Sequence, residues 1–481
     1  MLVLYFEVET WWLISYGIQL LTVLRVLLRE NRSPTARLAW IVCIMAIPWL
    51  GIVLYFFFGE VSFGRKDVAR MQSILAALPK TPPGQPPLPP PDIPILHRQA
   101  FARAASVNGF RPCGGNTAEL TGDSNDAIER LVADIHAAKD HVHLLFYIWL
   151  TDTNGLRVVD ACAKAAARGV TVRVMVDGMG SRALLASDHW EVMRAAGVKC
   201  GVAFSLRQAW IHLLFKRMDI RNHRKIAVID NRITYCGSQN CADPEFRVKP
   251  KFAPWVDIMV RLTGPVVWQN QVIFAGDWES HTGESITHLL DDPMPYTEGG
   301  FPAIAIGTGP TESFQAVPDI FQNLVASAQE VVTVTTPYYV PSEALNGRLC
   351  SAAMRGVKVR LIVPKNNDSA LVRMASHSYY LSLLRCGVEI YEYRPGLLHS
   401  KLLTVDGEAV LFGSANLDRR SFDINFENCI LASDRGLAGE IDARQAEYLR
   451  DSDQVTLAEV EAWPLYRKLL NNTFATMGPL L

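Results

Sequence analysis

The chain has 481 residues, of which 47 are lysine or arginine and 48 are aspartate or glutamate, so its formal net charge at neutral pH is −1. This length allows two or three domains and a large buried core. A protein that binds nucleic acid is expected to carry a basic excess that meets the phosphate groups, and the balanced charge therefore argues against nucleic acid as a partner.

Two apolar stretches open the chain. Residues 38–59 contain no charged side chain, and residues 10–28 are uncharged apart from Arg25, which lies close enough to the end to reach the interface. Glu7 and Glu9 precede them, where a cleaved signal peptide would carry basic residues. The pattern predicts that residues 1–59 form a membrane anchor with two transmembrane helices, which makes the lipid bilayer a partner.

Two signals bear on the side of the membrane that holds the rest of the chain. Residues 1–24 contain no lysine or arginine, whereas four arginines lie at and between the two stretches, namely Arg25, Arg29, Arg32 and Arg37. The positive-inside rule then places this loop in the cytoplasm and the following residues outside. The nine cysteines are odd in number and have no framework spacing, which favours a reducing compartment instead. The side stays open.

Residues 60–95 are predicted to be a proline-rich linker. Eight of the residues from Thr81 to Pro94 are proline, and such a sequence does not form a regular helix. It is typical of a semi-rigid spacer, which would hold the following domains away from the anchor.

From residue 96 onwards, short apolar strands alternate with amphipathic helices. In residues 96–295 the pattern predicts helices at 126–139 and 156–168 and strands at 142–150 and 170–176. Residues 296–481 repeat it, with helices at 320–330 and 343–355 and strands at 331–338 and 357–363. Because residues 169–176 also align with residues 356–363, the chain is interpreted as an internal duplication with an α/β sandwich in each half.

Each half contains one copy of the pattern H-x-K-x4-D-x6-G-S-x-N. The first copy consists of His223, Lys225, Asp230, Ser238 and Asn240, and the second of His399, Lys401, Asp406, Ser414 and Asn416. A single histidine with a lysine two residues later carries little information. Two complete copies at the same spacing indicate a catalytic site to which both halves contribute.

Strand alternation divides the residues of each copy between two faces. The histidine and the lysine are two residues apart and share a face, whereas Asp230 and Asp406 fall on the other. These aspartates belong to the candidate catalytic motif, but we expect them to make structural hydrogen bonds where the strand ends, and Asp406-Gly407 is a hairpin signal. The histidines therefore need other carboxylates. The strand after each G-S-x-N segment supplies one, Asp257 in the first half and Glu427 in the second.

These paired motifs resemble the phospholipase D superfamily, and the surrounding sequence resembles its bacterial cardiolipin synthases over nearly the whole chain. The further matching stretches are residues 147–149, 177–181, 336–341 and 375–380. The resemblance implies two tandem phospholipase D-like α/β sandwich repeats, a place in the bacterial inner membrane, and transfer of a phosphatidyl group between two phosphatidylglycerol molecules with release of glycerol. A membrane-bound phospholipase D-type hydrolase is the alternative, and a homo-oligomer is left open.

The chemistry needs no cofactor. A neutral imidazole attacks phosphorus, and a second one protonates the leaving alcohol. The resemblance implies that His223 is the nucleophile and His399 the acid and base, a distinction that sequence alone does not make. Lys225 and Lys401 would hold the phosphate oxygens, and the substrate-binding donors would be Ser238, Asn240, Ser414 and Asn416. Asp257 and Glu427 would accept the Nδ1 protons of the histidines. A lysine beside each histidine disfavours a metal ion.

Two further segments each allow two interpretations. Residues 206–217 include the apolar run from Trp210 to Phe215 between basic residues, and residues 463–470 are similar in character. Each is either an interfacial segment that dips into lipid or a helix that covers the core of its own domain.

Overall fold

The computed structural model describes residues 2–29, 34–59, 65–86, 88–205, 219–246, 248–310 and 315–476. The chain forms two compact units. The first takes in the described residues up to Val68, and the second runs from Ala69 onwards, apart from residues 207–219. The predicted interfacial run from Trp210 to Phe215 lies outside the described residues.

The first unit is helical. It contains α1 (Leu2–Leu28), α2 (Pro34–Ala46), α3 (Pro48–Leu54) and a π-helical turn (Tyr55–Gly59). Within α1, residues Trp11–Leu28 are long and apolar enough to cross a membrane, by length and composition. Trp11, Trp12 and Tyr16 are exposed near the start of this stretch, as an interfacial belt requires.

The apolar run at residues 38–59, predicted as a second transmembrane helix, is helical but bends at Pro48. The helix ends at Ala46, Ile47 leaves the helical region with φ −134° and ψ 75°, and a new helix starts at Pro48. Proline has no backbone N–H to donate and its ring clashes with the preceding turn, so it begins a helix more readily than it continues one. The apolar character of the run was read correctly from the sequence, but Pro48 divides it.

The second unit contains the remaining helices, which alternate with strands along most of its length. These are α4 (Arg65–Ala77, which begins in the first unit), α5 (Arg98–Asn108), α6 (Ser124–Ala137), α7 (Thr153–Ala167), α8 (Arg182–Leu185), α9 (Asp188–Ala195), α10 (Val266–Thr282), α11 (Ala316–Ser327), α12 (Glu343–Met354), α13 (Ala370–Arg385), α14 (Arg419–Asp423), α15 (Arg435–Arg450), α16 (Leu457–Glu461) and α17 (Leu465–Thr476), with 3-10 turns at Pro250–Phe252 and Thr287–Leu290.

The strands of the first half are β1 (Cys113–Leu120), β2 (His141–Phe146), β3 (Thr171–Asp177), β4 (Lys199–Ala203), β5 (Ile226–Ile229), β6 (Ile233–Gly237), β7 (Trp255–Val256) and β8 (Met259–Thr263). Those of the second half are β9 (Phe301–Thr308), β10 (Val331–Thr335), β11 (Tyr339–Val340), β12 (Lys358–Pro364), β13 (Glu389–Tyr393), β14 (Leu397–Leu398), β15 (Leu402–Val405), β16 (Ala409–Gly413), β17 (Leu417–Asp418), β18 (Glu427–Ser433) and β19 (Ser452–Val455).

The predicted duplication is confirmed by the order of the strands. One sheet of 15 strands runs in the order β19-β13-β12-β10-β15-β16-β18-β9-β1-β8-β6-β5-β2-β3-β4. The first half reads β1-β8-β6-β5-β2-β3-β4, and its counterpart reads β9-β18-β16-β15-β10-β12-β13 in the opposite direction. The halves join where β1 and β9 pair antiparallel, with Cys113 opposite Ala303 and Asn116 opposite Phe301. The two repeats therefore share one sheet.

The central strands are buried on both faces because helices cover both sides of the sheet. Every residue of β2, β5, β15 and β18 is buried. Some of the helices between the strands begin at side-chain caps, in both repeats. Asp152 accepts a hydrogen bond from the backbone N–H of Gly155 before α7, and Ser342 accepts one from Leu345 before α12.

The proline-rich stretch contains no helix among its described residues, as predicted, but it does not stand off as a spacer. Half-buried Ile93 packs against the main hydrophobic core, and the side-chain amide of Gln85 donates to the carbonyl of Asp292 at 2.9 Å. These contacts hold the stretch against the domain. The helix α4 just before it was not predicted.

Short strands also link the two repeats away from the main sheet. The pair β7 and β14 is parallel, with Trp255 opposite Leu397 and Val256 opposite Leu398. An isolated parallel bridge joins Asn222 to Phe426. Each of these contacts places the residue before a motif histidine beside a strand segment of the other repeat.

Candidate active site

The two motif histidines lie at the same cavity. A cavity of about 360 Å³ is lined by His223 from the first repeat and His399 from the second, together with Asn240 and Asn416. Each histidine immediately precedes a central strand, β5 or β15, at the edge where the parallel strands β2 and β10 end. The duplication therefore brings both copies to one pocket rather than to two separate sites.

Each histidine is hydrogen-bonded to a carboxylate of the other repeat. The Nδ1 atom of His223 lies 2.9 Å from Oε2 and 3.1 Å from Oε1 of Glu427. The Nδ1 atom of His399 lies 2.6 Å from Oδ1 of Asp257. Asp257 and Glu427 were identified as the orienting carboxylates by aligning the two repeats, which suggested a pairing within each repeat. The structure exchanges the partners.

Backbone contacts between the repeats explain this exchange. The N–H of His223 donates to the carbonyl of Phe426, which precedes Glu427, at 2.9 Å. The N–H of His399 donates to the carbonyl of Val256, which precedes Asp257, at 2.8 Å. These bonds run between strands of different repeats, so neither histidine is oriented without the other half of the chain.

The serines of the motif support the carboxylates and are not among the residues that line the cavity. The hydroxyl of Ser238 donates to Oδ1 of Asp257 at 2.6 Å, and the hydroxyl of Ser414 donates to Oε2 of Glu427. A hydroxyl has a single hydrogen, so neither serine has one left for a phosphate oxygen. The expectation that both serines are substrate-binding donors is corrected accordingly: they fix the carboxylates that orient the histidines.

Burial keeps both imidazoles neutral. It lowers the pKa of His223 to about 4, although the charge of Glu427 acts in the opposite direction. It lowers the pKa of His399 as well, against the charge of Asp257. A neutral imidazole that donates Nδ1–H to a carboxylate presents the lone pair of Nε2, which is the nucleophilic form.

The carboxylates stay ionised in spite of their burial. Burial alone raises the pKa of Glu427, but its interaction with His223, the charge of Lys225 and the hydrogen bond from Ser414 outweigh that effect, and the pKa is lowered. The same balance, with His399 as the partner, lowers the pKa of Asp257. Both can therefore accept a hydrogen bond from an imidazole or stabilise an imidazolium.

Two buried lysines complete the cationic part of the site. The ammonium of Lys225 donates to the carbonyl of His223 at 2.7 Å, and that of Lys401 donates to the carbonyl of His399 at 2.5 Å. Burial lowers the pKa of Lys225 to about 8 and that of Lys401 to about 7. An anionic phosphate between them would stabilise their charged forms.

The motif aspartates lie away from the cavity, as strand alternation predicts. The carboxylate of Asp230 accepts hydrogen bonds from the backbone N–H groups of Lys139, Asp140 and His141 at 2.8–2.9 Å. Asp406 accepts the equivalent three from residues 329–331 at 2.8–2.9 Å. Asp406 and Gly407 have φ of 52° and 60°, in keeping with the predicted hairpin. Each aspartate ties the end of its motif strand to the start of the neighbouring strand.

The motif asparagines line the cavity. The side-chain oxygen of Asn240 accepts from the backbone N–H of Ile148 at 3.2 Å, which directs its amide group away from that bond. Asn416 is held by its backbone N–H, which donates to the hydroxyl of Ser421 at 3.1 Å. Their use as phosphate donors stays a prediction.

Sequence reasoning missed the residues that surround the histidines. The ring of Tyr147 meets His223 edge-on at 4.9 Å and lies 5.5 Å from the ammonium of Lys225. The indole of Trp255 lies 4.7 Å from the ring of His399. Tyr147 occurs in a stretch that resembles the superfamily, but nothing in its spacing from His223 shows that the two rings meet.

Arg224, between His223 and Lys225, also has a role that its position did not reveal. Its guanidinium is buried and lies 2.8 Å from Oδ1 of Asp277. It also donates to the carbonyls of Glu427 and Thr308, at 3.1 and 3.0 Å, both in the second repeat. Arg224 thus links the motif of one repeat to the carboxylate strand of the other.

This arrangement is suited to displacement at a phosphodiester through a covalent intermediate. It offers two neutral imidazoles with fixed tautomers and two lysines that can hold the non-bridging oxygens. A duplicated α/β sheet in which each repeat contributes a histidine to a shared cavity, with a buried lysine two residues after it, defines a member of the phospholipase D superfamily.

The comparisons with known proteins agree. The family model described as "Cardiolipin synthase, PLD-like domain" matches residues 131–252 and 321–448, and one described as "Phospholipase_D-nuclease N-terminal" matches residues 17–60. Cardiolipin synthase A of Proteus mirabilis is 35% identical over 98% of this chain and 97% of that protein. Cardiolipin synthase A of Serratia proteamaculans is 34% identical over 98% of both. The chain belongs to the cardiolipin synthase family.

A solved structure supports the fold. The crystal structure of phosphatidylserine synthase from Haemophilus influenzae Rd KW20 aligns with a TM-score of 0.56 at 15% identity, over 80% of this chain and 100% of that one. At that identity the likeness concerns the fold alone, and it extends over both repeats.

Proposed function

We propose that the protein is a phosphatidyltransferase that makes cardiolipin. It transfers the phosphatidyl group of one phosphatidylglycerol to the terminal hydroxyl of a second and releases glycerol. The main support is that each histidine at the shared cavity is hydrogen-bonded to a carboxylate of the other repeat, His223 to Glu427 and His399 to Asp257. Relatives named cardiolipin synthase A, similar over nearly the whole chain, support the choice of substrate.

In the first step, Nε2 of His223 attacks phosphorus and the bond from phosphorus to the glycerol oxygen breaks. The ionised Glu427 stabilises the imidazolium character that develops on His223. His399 delivers a proton to the departing glycerol. The bound phosphate anion and Asp257 together favour the protonated form of His399, which burial otherwise disfavours. Lys225 and Lys401 hold the non-bridging oxygens while negative charge builds up on them.

In the second step, a hydroxyl of the second phosphatidylglycerol attacks the phosphohistidine. His399, now neutral, takes the proton of that hydroxyl, and the bond from phosphorus to Nε2 of His223 breaks. The product is cardiolipin and the site returns to its starting state. His223 is assigned as the nucleophile because the resemblance to the phospholipase D superfamily gives this role to the histidine of the first repeat, and burial, which lowers its pKa to about 4, favours the neutral form that the role needs.

A product analysis tests this proposal. The purified full-length chain is incubated with phosphatidylglycerol vesicles, and lipids and free glycerol are quantified. We expect cardiolipin and glycerol in equal amounts, and no product from His223→Ala. If the wild-type chain gives phosphatidic acid and no four-acyl lipid, water is the acceptor and the protein is a hydrolase.

We further propose that the chain is a multi-pass protein of the bacterial inner membrane. In this proposal α1 is the first pass, and the bent segment formed by α2 and α3 is the second. Reporter fusions after residues 31 and 64 then report opposite sides of the membrane. The same side for both fusions would leave a single pass.

A further inference from the structure

The C-terminal helix α17 carries an exposed apolar face. Four of its large side chains are exposed: Leu465 by 83%, Tyr466 by 68%, Leu469 by 65% and Leu470 by 46%. At about 100° per residue these positions fall within one stripe along the helix. A soluble surface rarely clusters large apolar side chains in this way, so the stripe is expected to meet an apolar phase or a partner.

The opposite face of α17 is already occupied. Asn471, which points away from the stripe, is buried. The helix packs against α13, and Trp463, just before it, contacts the rings of His377 and Tyr380 on α13. The helix therefore covers the core of its own domain with one face and leaves the other outside. The interpretation of residues 463–470 as a helix that covers its own domain is confirmed for this face, and the interfacial interpretation stays a prediction for the exposed face.

The charges on α17 fit an anionic surface. Arg467 and Lys468 are the charged residues of Leu465–Thr476, and the helix contains no acidic side chain. At about 100° per residue they lie on either side of the apolar stripe. The guanidinium of Arg467 lies 3.8 Å from the centre of the Trp463 ring, and the ammonium of Lys468 donates to the carbonyl of Glu461 at 2.7 Å. Both cations are therefore held beside the apolar face, where their charge attracts anionic headgroups.

The helix also runs towards the catalytic cavity. Arg385, at the end of α13, pairs with Glu461 at 2.9 Å, whereas Trp463 contacts residues 377–380 of α13. The chain thus advances towards the beginning of α13 as it enters α17, and the two helices are antiparallel. The start of α13 follows Asp368, which lines the cavity and binds Lys249 at 2.6 Å.

We propose that the exposed face of α17 inserts into the surface of an anionic bilayer and holds the catalytic unit with its cavity close to the lipid headgroups. This inference rests on the proposed function, because it takes phosphatidylglycerol as both surface and substrate. Exposed Leu371 at the start of α13 and exposed Val248 at the cavity add apolar side chains along the same path. A second copy of the chain is the competing occupant.

Photo-crosslinking tests the contact directly. The full-length chain is reconstituted in vesicles of phosphatidylglycerol and phosphatidylcholine that contain a phosphatidylglycerol with a diazirine in its acyl chain. We expect labelled peptides from residues 465–476. The variant Leu465→Glu with Leu469→Glu should lose at least about tenfold of this label, since each leucine contributes its burial to the insertion. Met354→Glu is the matched control: Met354 is 75% exposed, between the values for Leu465 and Leu469, but it lies on α12.

Turnover is measured in parallel on two substrates. The double variant should be about tenfold slower than wild type on vesicle phosphatidylglycerol, yet equal to it on a short-chain phosphatidylglycerol dissolved as monomers, since the site itself is unchanged. The control variant should match wild type on both. Thermal unfolding verifies that the variants are folded.

Three results separate the alternatives. If α17 of the wild-type chain receives no lipid label, the docking proposal is rejected. This result does not depend on whether the variants fold. Crosslinks between two copies through α17, with a change of mass in the double variant, assign the face to a protein interface instead. Lipid label on α17 in a wild-type chain that makes no cardiolipin from either substrate keeps the docking and rejects the proposed function.

Discussion

The exchanged pairing of histidines and carboxylates makes a prediction that a pairing within each repeat does not. Glu427→Gln removes the carboxylate from Nδ1 of His223, and Asp257→Asn removes it from Nδ1 of His399. Each change removes a charge but keeps the shape of the side chain. If the pairing is crossed, each variant impairs the histidine of the opposite repeat.

The expected losses follow from the geometry. Glu427 is fully buried and accepts hydrogen bonds from both His223 and Ser414, so an amide there turns a donor towards one of them. The imidazole then favours the tautomer with the proton on Nε2, which is no nucleophile. A carboxamide behind a catalytic histidine of a serine protease lowers the turnover by about 10⁴-fold, which corresponds to roughly 5.4 kcal/mol. We expect a loss of this order for both variants on phosphatidylglycerol.

A second donor lipid separates the two roles. A phosphatidyl ester of p-nitrophenol needs no proton on its leaving group, so the release of nitrophenol in a stopped-flow burst depends on the nucleophile alone. Asp257→Asn should regain a burst close to that of wild type, as should His399→Ala. Glu427→Gln should stay without a burst, as should His223→Ala.

The test is which variants share the same burst behaviour: Asp257→Asn with His399→Ala, and Glu427→Gln with His223→Ala. If Glu427→Gln regains the burst together with His399→Ala, the carboxylate of the second repeat serves the histidine of the second repeat, and the crossed contacts have no catalytic role. Near-UV circular dichroism of each variant controls for loss of packing around the site.

Three further predictions follow from the charges at the site. Because phosphate binding needs protonated lysines, kcat/KM should fall as the pH rises through about 7 to 8, the pKa range of Lys401 and Lys225. Lys401→Arg should shift this fall to higher pH, and an unshifted profile would assign it to another group. Turnover should survive exhaustive EDTA treatment, since lysines supply the positive charge; loss that zinc restores would reject this assignment. Asp277→Ala leaves the guanidinium of Arg224 buried without its carboxylate, so it should lower the free energy of unfolding by about 3–5 kcal/mol in chemical denaturation. A change below about 1 kcal/mol would show that the pair of Arg224 and Asp277 does not stabilise the fold.

Much of the catalytic site could be predicted from the sequence because the duplication repeats its pattern. The spacing of His223 and Lys225 recurs at His399 and Lys401, and strand alternation alone assigned Asp230 to backbone hydrogen bonds. The strand boundaries were also close: a strand was predicted at residues 170–176 and is found at Thr171–Asp177.

The features that were missed depend on contacts between the repeats. Alignment of two halves identifies equivalent residues but does not show which half supplies the partner, so Glu427 was read with its own repeat. The role of Ser238 was missed for another reason: its hydroxyl reaches Asp257 within the first repeat, because β6 and β8 are neighbours in the sheet. The bend at Pro48 could have been predicted, because a proline within an apolar run is a local signal that interrupts a helix.

The central claim is that the two repeats form one site in which His223 carries the phosphatidyl group. The most direct measurement is the stoichiometry and position of the covalent intermediate, trapped by rapid quenching at alkaline pH with the nitrophenyl donor and no acceptor lipid, then mapped by peptide mass spectrometry. We expect one phosphatidyl group per chain, on the peptide that contains His223, and the same label in His399→Ala. Two groups per chain, or a label on the peptide that contains His399, would contradict it.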